Sequence, residues 1–242
     1  MSILPDSLFA LPPVAALLRE EMEIARDCAA RQPRGRALLL APCVEMDEST
    51  WDVSHLSAVR MHVSRSGLDG AVRCTPDLLP WDDAAFQMIV LQHVGDVLPT
   101  VAPWVDEVAR VLAPGGTLLW FGFNPNSPWI AWCHWQSWQR RRARQTGFSR
   151  PHLARAQTTY RQLLARRLQA DGLHYAGSLW PRVDQSHTRR QRWRALDMLR
   201  AAYFLAARKR PRILTPLRPR AGQRVVAAHP QLVGTPSQRA SA

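Results

Sequence analysis

Lysine is almost missing from this chain. Of 242 residues, 32 are basic and 19 acidic, and Lys209 is the one lysine among them. The net charge of +13 is therefore carried by arginine. Two readings fit this: an anionic partner such as nucleic acid or a membrane surface, or the codon bias of a GC-rich genome, which also raises Ala and Pro. Cysteine is sparse as well. Cys28, Cys43, Cys74 and Cys133 are far apart, form no CxxC pair and have no histidine at zinc-ligand spacing. That argues against a metal site or a disulfide framework and for reduced, mostly buried thiols. Long apolar runs are also missing. None reaches the ~18–20 residues that span a bilayer. No basic segment opens the chain, and Pro12-Pro13 followed by Arg19, Glu20 and Glu21 interrupts the first apolar stretch. The expectation is a protein without a transmembrane segment, located in the cytoplasm.

What is present is an alternation of strand-like and helix-like segments. Pro12 opens a helix whose stripe is Val14, Leu17, Leu18, Met22 and Ala25. Ala37 to Ala41 is a continuous apolar run, which suits a strand covered on both faces. Val59 to Val63, Ala71 to Thr75, Phe86 to Leu91 and Thr117 to Phe123 are further strands. Val101 to Leu112 is a helix with Val101, Val105, Val108 and Leu112 on one side, and Pro114-Gly115-Gly116 turns out of it. Ser149 to Ala170 predicts another helix, followed by strands at Leu173 to Leu179 and Ala202 to Ala207. Strands alternating with helices predict a parallel α/β sheet.

Two stretches carry a resemblance. Asp77-Leu78-Leu79-Pro80-Trp81-Asp82-Asp83, followed by the strand Phe86 to His93, is one. Glu107-Val108-Ala109-Arg110-Val111-Leu112-Ala113-Pro114-Gly115-Gly116-Thr117-Leu118-Leu119 is the other. Together they resemble the class I S-adenosylmethionine-dependent methyltransferases of the type 11 sort, whose pattern is E-x-x-R-V-L-x-P-G-G-x-L. Gly122-Phe123-Asn124-Pro125 is similar to a bacterial subgroup ending its fifth strand in GFNP. Leu164 to Tyr175 and Ala202 to Lys209 fit the family's last helix and strands. The resemblance implies a Rossmann-like α/β sheet, mostly parallel with an antiparallel last strand and helices on both faces, over residues 35–216. It also implies S-adenosylmethionine as cofactor, a methyl acceptor of unknown identity, and a site at the carboxyl ends of the strands.

Carried over residue by residue, the cofactor positions fall on Ala41, Pro42 and Cys43 after the first strand, and on Ser64 at the end of the second. They continue with Thr75, Asp77 and Leu78 beyond the third and Gln92 at the end of the fourth. The sequence departs from the family here. Leu40-Ala41-Pro42-Cys43-Val44-Glu45-Met46 has no glycine to let the backbone approach a cofactor. Ser64 or Arg65 stands where an acid usually holds the ribose, Thr75 where one often faces adenine, and Gln87 replaces the usual Asp. His93 is the candidate general base or a hydrogen-bonded structural histidine. Asp77 faces the adenine or only shapes a turn. Asn124 touches substrate or caps the turn before Pro125.

Trp129, Trp132, Trp135 and Trp138 recur in a segment that ends in Arg140, Arg141, Arg142 and Arg144. Residues 124–170 read as an inserted lid packed on the sheet edge, with Trp129 a substrate contact, and with a protein interface or a peripheral membrane anchor as lesser readings. Arginine stretches at Arg161 to Arg167, Arg189 to Arg194 and Arg208 to Arg220, interleaved with aromatics, suit nucleic acid or a solvated face. Residues 1–34 read as a helical lead-in and 217–242 as a disordered tail. Three functional readings follow: a methyltransferase, a catalytically inactive binding or scaffold protein on the same fold, and an RNA-associated basic protein.

Overall fold

The computed structural model describes residues 8–43, 51–64, 66–98, 102–142, 156–181 and 194–210. All of them belong to one compact unit, 1–211, while the unit 212–242, which contains the expected tail, lies outside the described residues. The helical elements are α1 (Pro12–Ala29), α2 (Val94–Val97), α3 (Ala102–Val111), α4 (Pro128–Arg142) and α5 (Ala156–Ala165). The strands are β1 (Gly35–Ala41), β2 (Leu56–Ser64), β3 (Gly67–Gly70), β4 (Phe86–Gln92), β5 (Leu112–Phe123), β6 (Leu168–Ala176) and β7 (Ala202–Lys209). They form one seven-stranded sheet in the order β3-β2-β1-β4-β5-β7-β6. β2, β1, β4 and β5 run parallel to one another.

The sheet buries both faces, as the unbroken apolar runs of β1 and β4 require. Alternate residues face opposite ways. Leu38, Leu40, Ile89, Leu91, Leu118 and Trp120 pack with Val105 and Val108 of α3 and Leu163 of α5. Leu39, Val90, Leu119 and Phe121 pack with Met22 and Ala25 of α1. Trp129 and Cys133 of α4 join Leu17 and Leu18 of α1 around Phe123.

The outer elements differ from expectation in two places. The third strand is Gly67–Gly70, not Ala71 to Thr75, and it runs antiparallel to β2 as a hairpin. Glycine decides this. Gly67 and Gly70 have φ of 136° and 141°, and a Cβ at either would lie 2.5 Å from the carbonyl of Cys74 or Arg60. Only a bare α-carbon lets the chain fold back so tightly. β7 is antiparallel to β5 as expected, so two of the seven strands are reversed. The helix expected to run to Ala170 ends at Ala165, because Arg167 takes φ of 61° and turns the chain into β6 at Leu168.

Candidate functional site

The carboxyl edge of β1, β2, β4 and β5 is where this topology receives a ligand. A cavity of about 830 Å³ opens there beside α1, lined among others by Ala41, Cys43 and Gln92. Its floor is the α1 face of β1, β2 and β4. Pro42, also carried over as a cofactor position, is buried. The neighbouring Val44, Glu45 and Met46 lie outside the described residues, as does Arg65.

The other carried-over positions are elsewhere. Ser64 turns its hydroxyl to the Gly67 carbonyl at 3.2 Å, inside the β2–β3 hairpin. Thr75, Asp77 and Leu78 are exposed, Leu78 by 69%, and do not line the cavity. The hairpin is the reason: it stops at Gly70, so the chain passes 75–78 without bringing it to the edge.

His93 follows β4 with left-handed backbone angles of φ 49° and ψ 18°. It is fully buried. Nε2 lies 2.9 Å from Glu21 Oε1, and Nδ1 lies 2.8 Å from Asp96 Oδ2. Phe9 and Phe123 pack on the ring. Burial opposes the imidazolium, but the Glu21 and Asp96 carboxylates overcome it and raise the pKa from 6.5 to about 10. Asp96 Oδ2 also accepts the Phe123 N–H at 2.9 Å, and Gln92 Nε2 donates to the Leu18 carbonyl and to Glu21. The expected base is thus a cation with both nitrogens held by carboxylates, and it joins α1, β4, α2 and β5.

Asn124 and Trp129 are likewise committed. Asn124 Nδ2 donates to the carbonyls of Met198 at 2.7 Å and Arg200 at 2.9 Å, and its oxygen accepts from Asn126 N–H. This is the capping alternative, not an open substrate contact. Trp129 is fully buried and donates Nε1–H to the Ser178 carbonyl at 3.0 Å. Trp135 and Trp138 stay about half exposed on the other side of α4. Several arginines are locally paired: Arg166 with Asp106, Arg200 with Asp197, and Arg210 with Gln169. No helix among the described residues is long and apolar enough to cross a membrane.

Sequence reasoning passed over Glu21, Asp96, Arg60 and His62. Each left a signal. Glu21 sits within the apolar stripe of α1, one turn from Leu17 and Leu18, where a charge calls for a buried partner. Arg60 and His62 alternate along β2, on the face where Leu56 and Ala58 are apolar.

The comparisons agree with this geometry. Residues 29–120 match the family described as a methyltransferase domain. No curated protein sequence matches the chain. Similar solved structures include a candidate methyltransferase of Bacillus halodurans, 15% identical, with 78% of this chain and 99% of that one covered and a TM-score of 0.51. An S-adenosylmethionine-dependent methyltransferase of Thermotoga maritima is 12% identical, with 84% and 93% covered and a TM-score of 0.50. A candidate S-adenosylmethionine-dependent methyltransferase of Listeria monocytogenes is 9% identical, with 81% and 99% covered and a TM-score of 0.52. At these identities the likeness is one of fold. Residues 29–120 are thus similar to a methyltransferase domain, and the seven-stranded sheet shares the fold of these methyltransferase structures.

Proposed function

We propose that the chain is an S-adenosylmethionine-dependent methyltransferase that supplies no side-chain base from the end of β4. The observation that carries this is His93, whose two nitrogens are both occupied by buried carboxylates. Methyl transfer is an in-line displacement, and its main demands are positioning and exclusion of water. An acceptor that is already nucleophilic, such as a thiolate or a neutral amine, needs no base. When bound, S-adenosylmethionine supplies an electrophilic methyl group on sulfur. The cavity fits such a ligand with an altered grip. Leu39, Ala58, Val90 and the Trp51 side chain offer apolar contact, and Gln92 stands at the edge. The usual glycine turn and ribose-binding acid are replaced by Ala41-Pro42-Cys43 and by Ser64 or Arg65.

A second reading is a binding module on the same fold without turnover. The exposure of Thr75, Asp77 and Leu78 away from the cavity favours it. Thermal denaturation with S-adenosylmethionine and S-adenosylhomocysteine, joined to transfer of a labelled methyl group to thiol and amine acceptors, decides between them. Saturation at ~100 times Kd stabilises the fold by ~2.7 kcal/mol. Stabilisation with transfer supports the enzyme. Stabilisation without transfer to any acceptor supports the module. No shift with either ligand at millimolar concentration sinks both.

A further inference from the structure

Three strand ends meet at one corner of the sheet. β5 stops at Phe123, opposite Ala202, where β7 begins, and Ala202 pairs in turn with Ala176, the last residue of β6. Just beyond these ends the chain passes through Ser178 to Trp180 and through the short helix Arg194–Leu199. Four large apolar side chains there face solvent. Trp180 is 61% exposed and Met198 59%, and Leu196 and Leu199 are exposed as well. α4 leaves from the same corner, because Trp129 in its first turn donates to the Ser178 carbonyl, and Trp135 is about half exposed further along that helix.

The exposure is built in. The Ser178 carbonyl also accepts the Ala201 N–H at 3.1 Å, Ser178 Oγ–H donates to the Trp180 carbonyl, and Asn124 Nδ2 holds the Met198 and Arg200 carbonyls. Arg200 donates to the Gly177 carbonyl and pairs with Asp197, the acid of the short helix. These polar groups are satisfied within the corner while the apolar side chains are turned outward. Several large apolar side chains held outward in one place mark an interaction site.

Charge selects the occupant. The sequence between Trp180 and Leu196 holds Arg182, Arg189, Arg190, Arg192 and Arg194 against Asp184, and the whole chain carries +13. α4 ends on Arg140-Arg141-Arg142. A second copy would bring two strongly basic faces together, and these repel. Single-stranded nucleic acid stacks on flat rings, and three of the four side chains here are leucine or methionine. An anionic bilayer answers both features: indole and aliphatic groups enter the boundary between headgroups and acyl chains, and arginines meet the phosphates. No helix among the described residues can span a bilayer, so such contact is peripheral. We propose that this corner is a docking surface for an anionic lipid bilayer, with Trp180, Leu196, Met198 and Leu199 entering the boundary. The surface goes beyond the methyltransferase reading and stands independently of it.

Co-sedimentation of the full chain with lipid vesicles tests it. At ~100 mM salt, phosphatidylcholine vesicles with about one third phosphatidylglycerol bind the protein at least about ten-fold tighter than pure phosphatidylcholine. Trp180→Ser combined with Met198→Ser, both at exposed positions and checked for native circular dichroism and thermal midpoint, weakens binding to the mixed vesicles at least about ten-fold. Trp180→Phe combined with Met198→Leu keeps it. Lipids brominated in the acyl chain quench the tryptophan fluorescence of the wild-type chain, and quench it less in Trp180→Phe. No binding to the mixed vesicles overturns the proposal. So does binding that is unchanged in the serine double variant, which leaves the arginine field alone responsible. A dimer in sedimentation velocity that the double variant dissolves, or retention on single-stranded RNA that it abolishes, gives the surface to a second copy or to nucleic acid and overturns it equally.

Discussion

Glu21 and His93 lie 72 residues apart in the chain and 2.9 Å apart in the fold, both completely buried. With Asp96 on the other ring nitrogen, they make an ion triplet that fastens α1 to the end of β4. Removing one member of a buried pair leaves an uncompensated charge, which costs ~3–5 kcal/mol. His93→Gln and Glu21→Gln are each expected to lose that much in urea denaturation. Their combination should cost less than the sum, since the two act as a unit.

The same triplet sets a pH dependence. His93 has its folded pKa raised to about 10 from 6.5, so folding takes up a proton between those values. Its contribution is fully present below about pH 6.5 and is lost as pH rises through about 10. The urea midpoint of the wild-type chain should fall between pH 7 and 10, and that of His93→Gln should fall less. Parallel pH profiles for the two proteins would refute this.

Arg110 explains why two separate sequence patterns occur together. Its guanidinium donates to Glu107, to Asp83, and to the carbonyls of Leu79 and Trp81, while Glu107 accepts the Leu79 N–H. The acidic turn before β4 is thereby clamped to α3. Arg110 is partly exposed, so screening trims the effect, and Arg110→Met is expected to cost ~2 kcal/mol. Arg110→Lys should not restore it, because one ammonium cannot span four acceptors. Hydrogen exchange at residues 79–83 checks where the loss falls.

Asn124 separates a capping role from a substrate role. Asn124→Ala strands the Met198 and Arg200 carbonyls and the Asn126 N–H, at ~2–4 kcal/mol for the set. Ligand affinity measured below the new thermal midpoint should be unchanged. A selective loss of binding in a stably folded variant would make it a substrate contact after all.

Cys133 provides a chemical check on packing. Burial raises its thiol pKa to about 12, and the Asp96 carboxylate adds to the effect. Little thiolate forms at neutral pH. Iodoacetamide should leave Cys133 unlabelled in the native protein and label it in urea, as read by mass spectrometry.

The central strands and α3 were legible in the sequence because the physics there is local. β1 and β4 are apolar runs of strand length, and Pro114-Gly115-Gly116 can only turn. The E-x-x-R pattern was legible too, though its reason is the tertiary clamp at Arg110. The hairpin at β3 was not, since Gly67 and Gly70 become meaningful only once Cys74 and Arg60 approach them. The site was less legible still. His93 looked available because its occupants, Glu21 and Asp96, come from α1 and α2. Trp129 looked like a lid contact because Ser178, its acceptor, lies 49 residues on.

The neighbouring carboxylates of α1 also set an order of assembly. Glu21 waits for His93, and Glu20 accepts the N–H of Gly177, 157 residues later. Both anchors join α1 to residues far along the chain, the second to one 157 positions on. Contacts of such separation bear a loop-closure cost before they reward it, so the seating of α1 is a closing step of folding, not a nucleus for it.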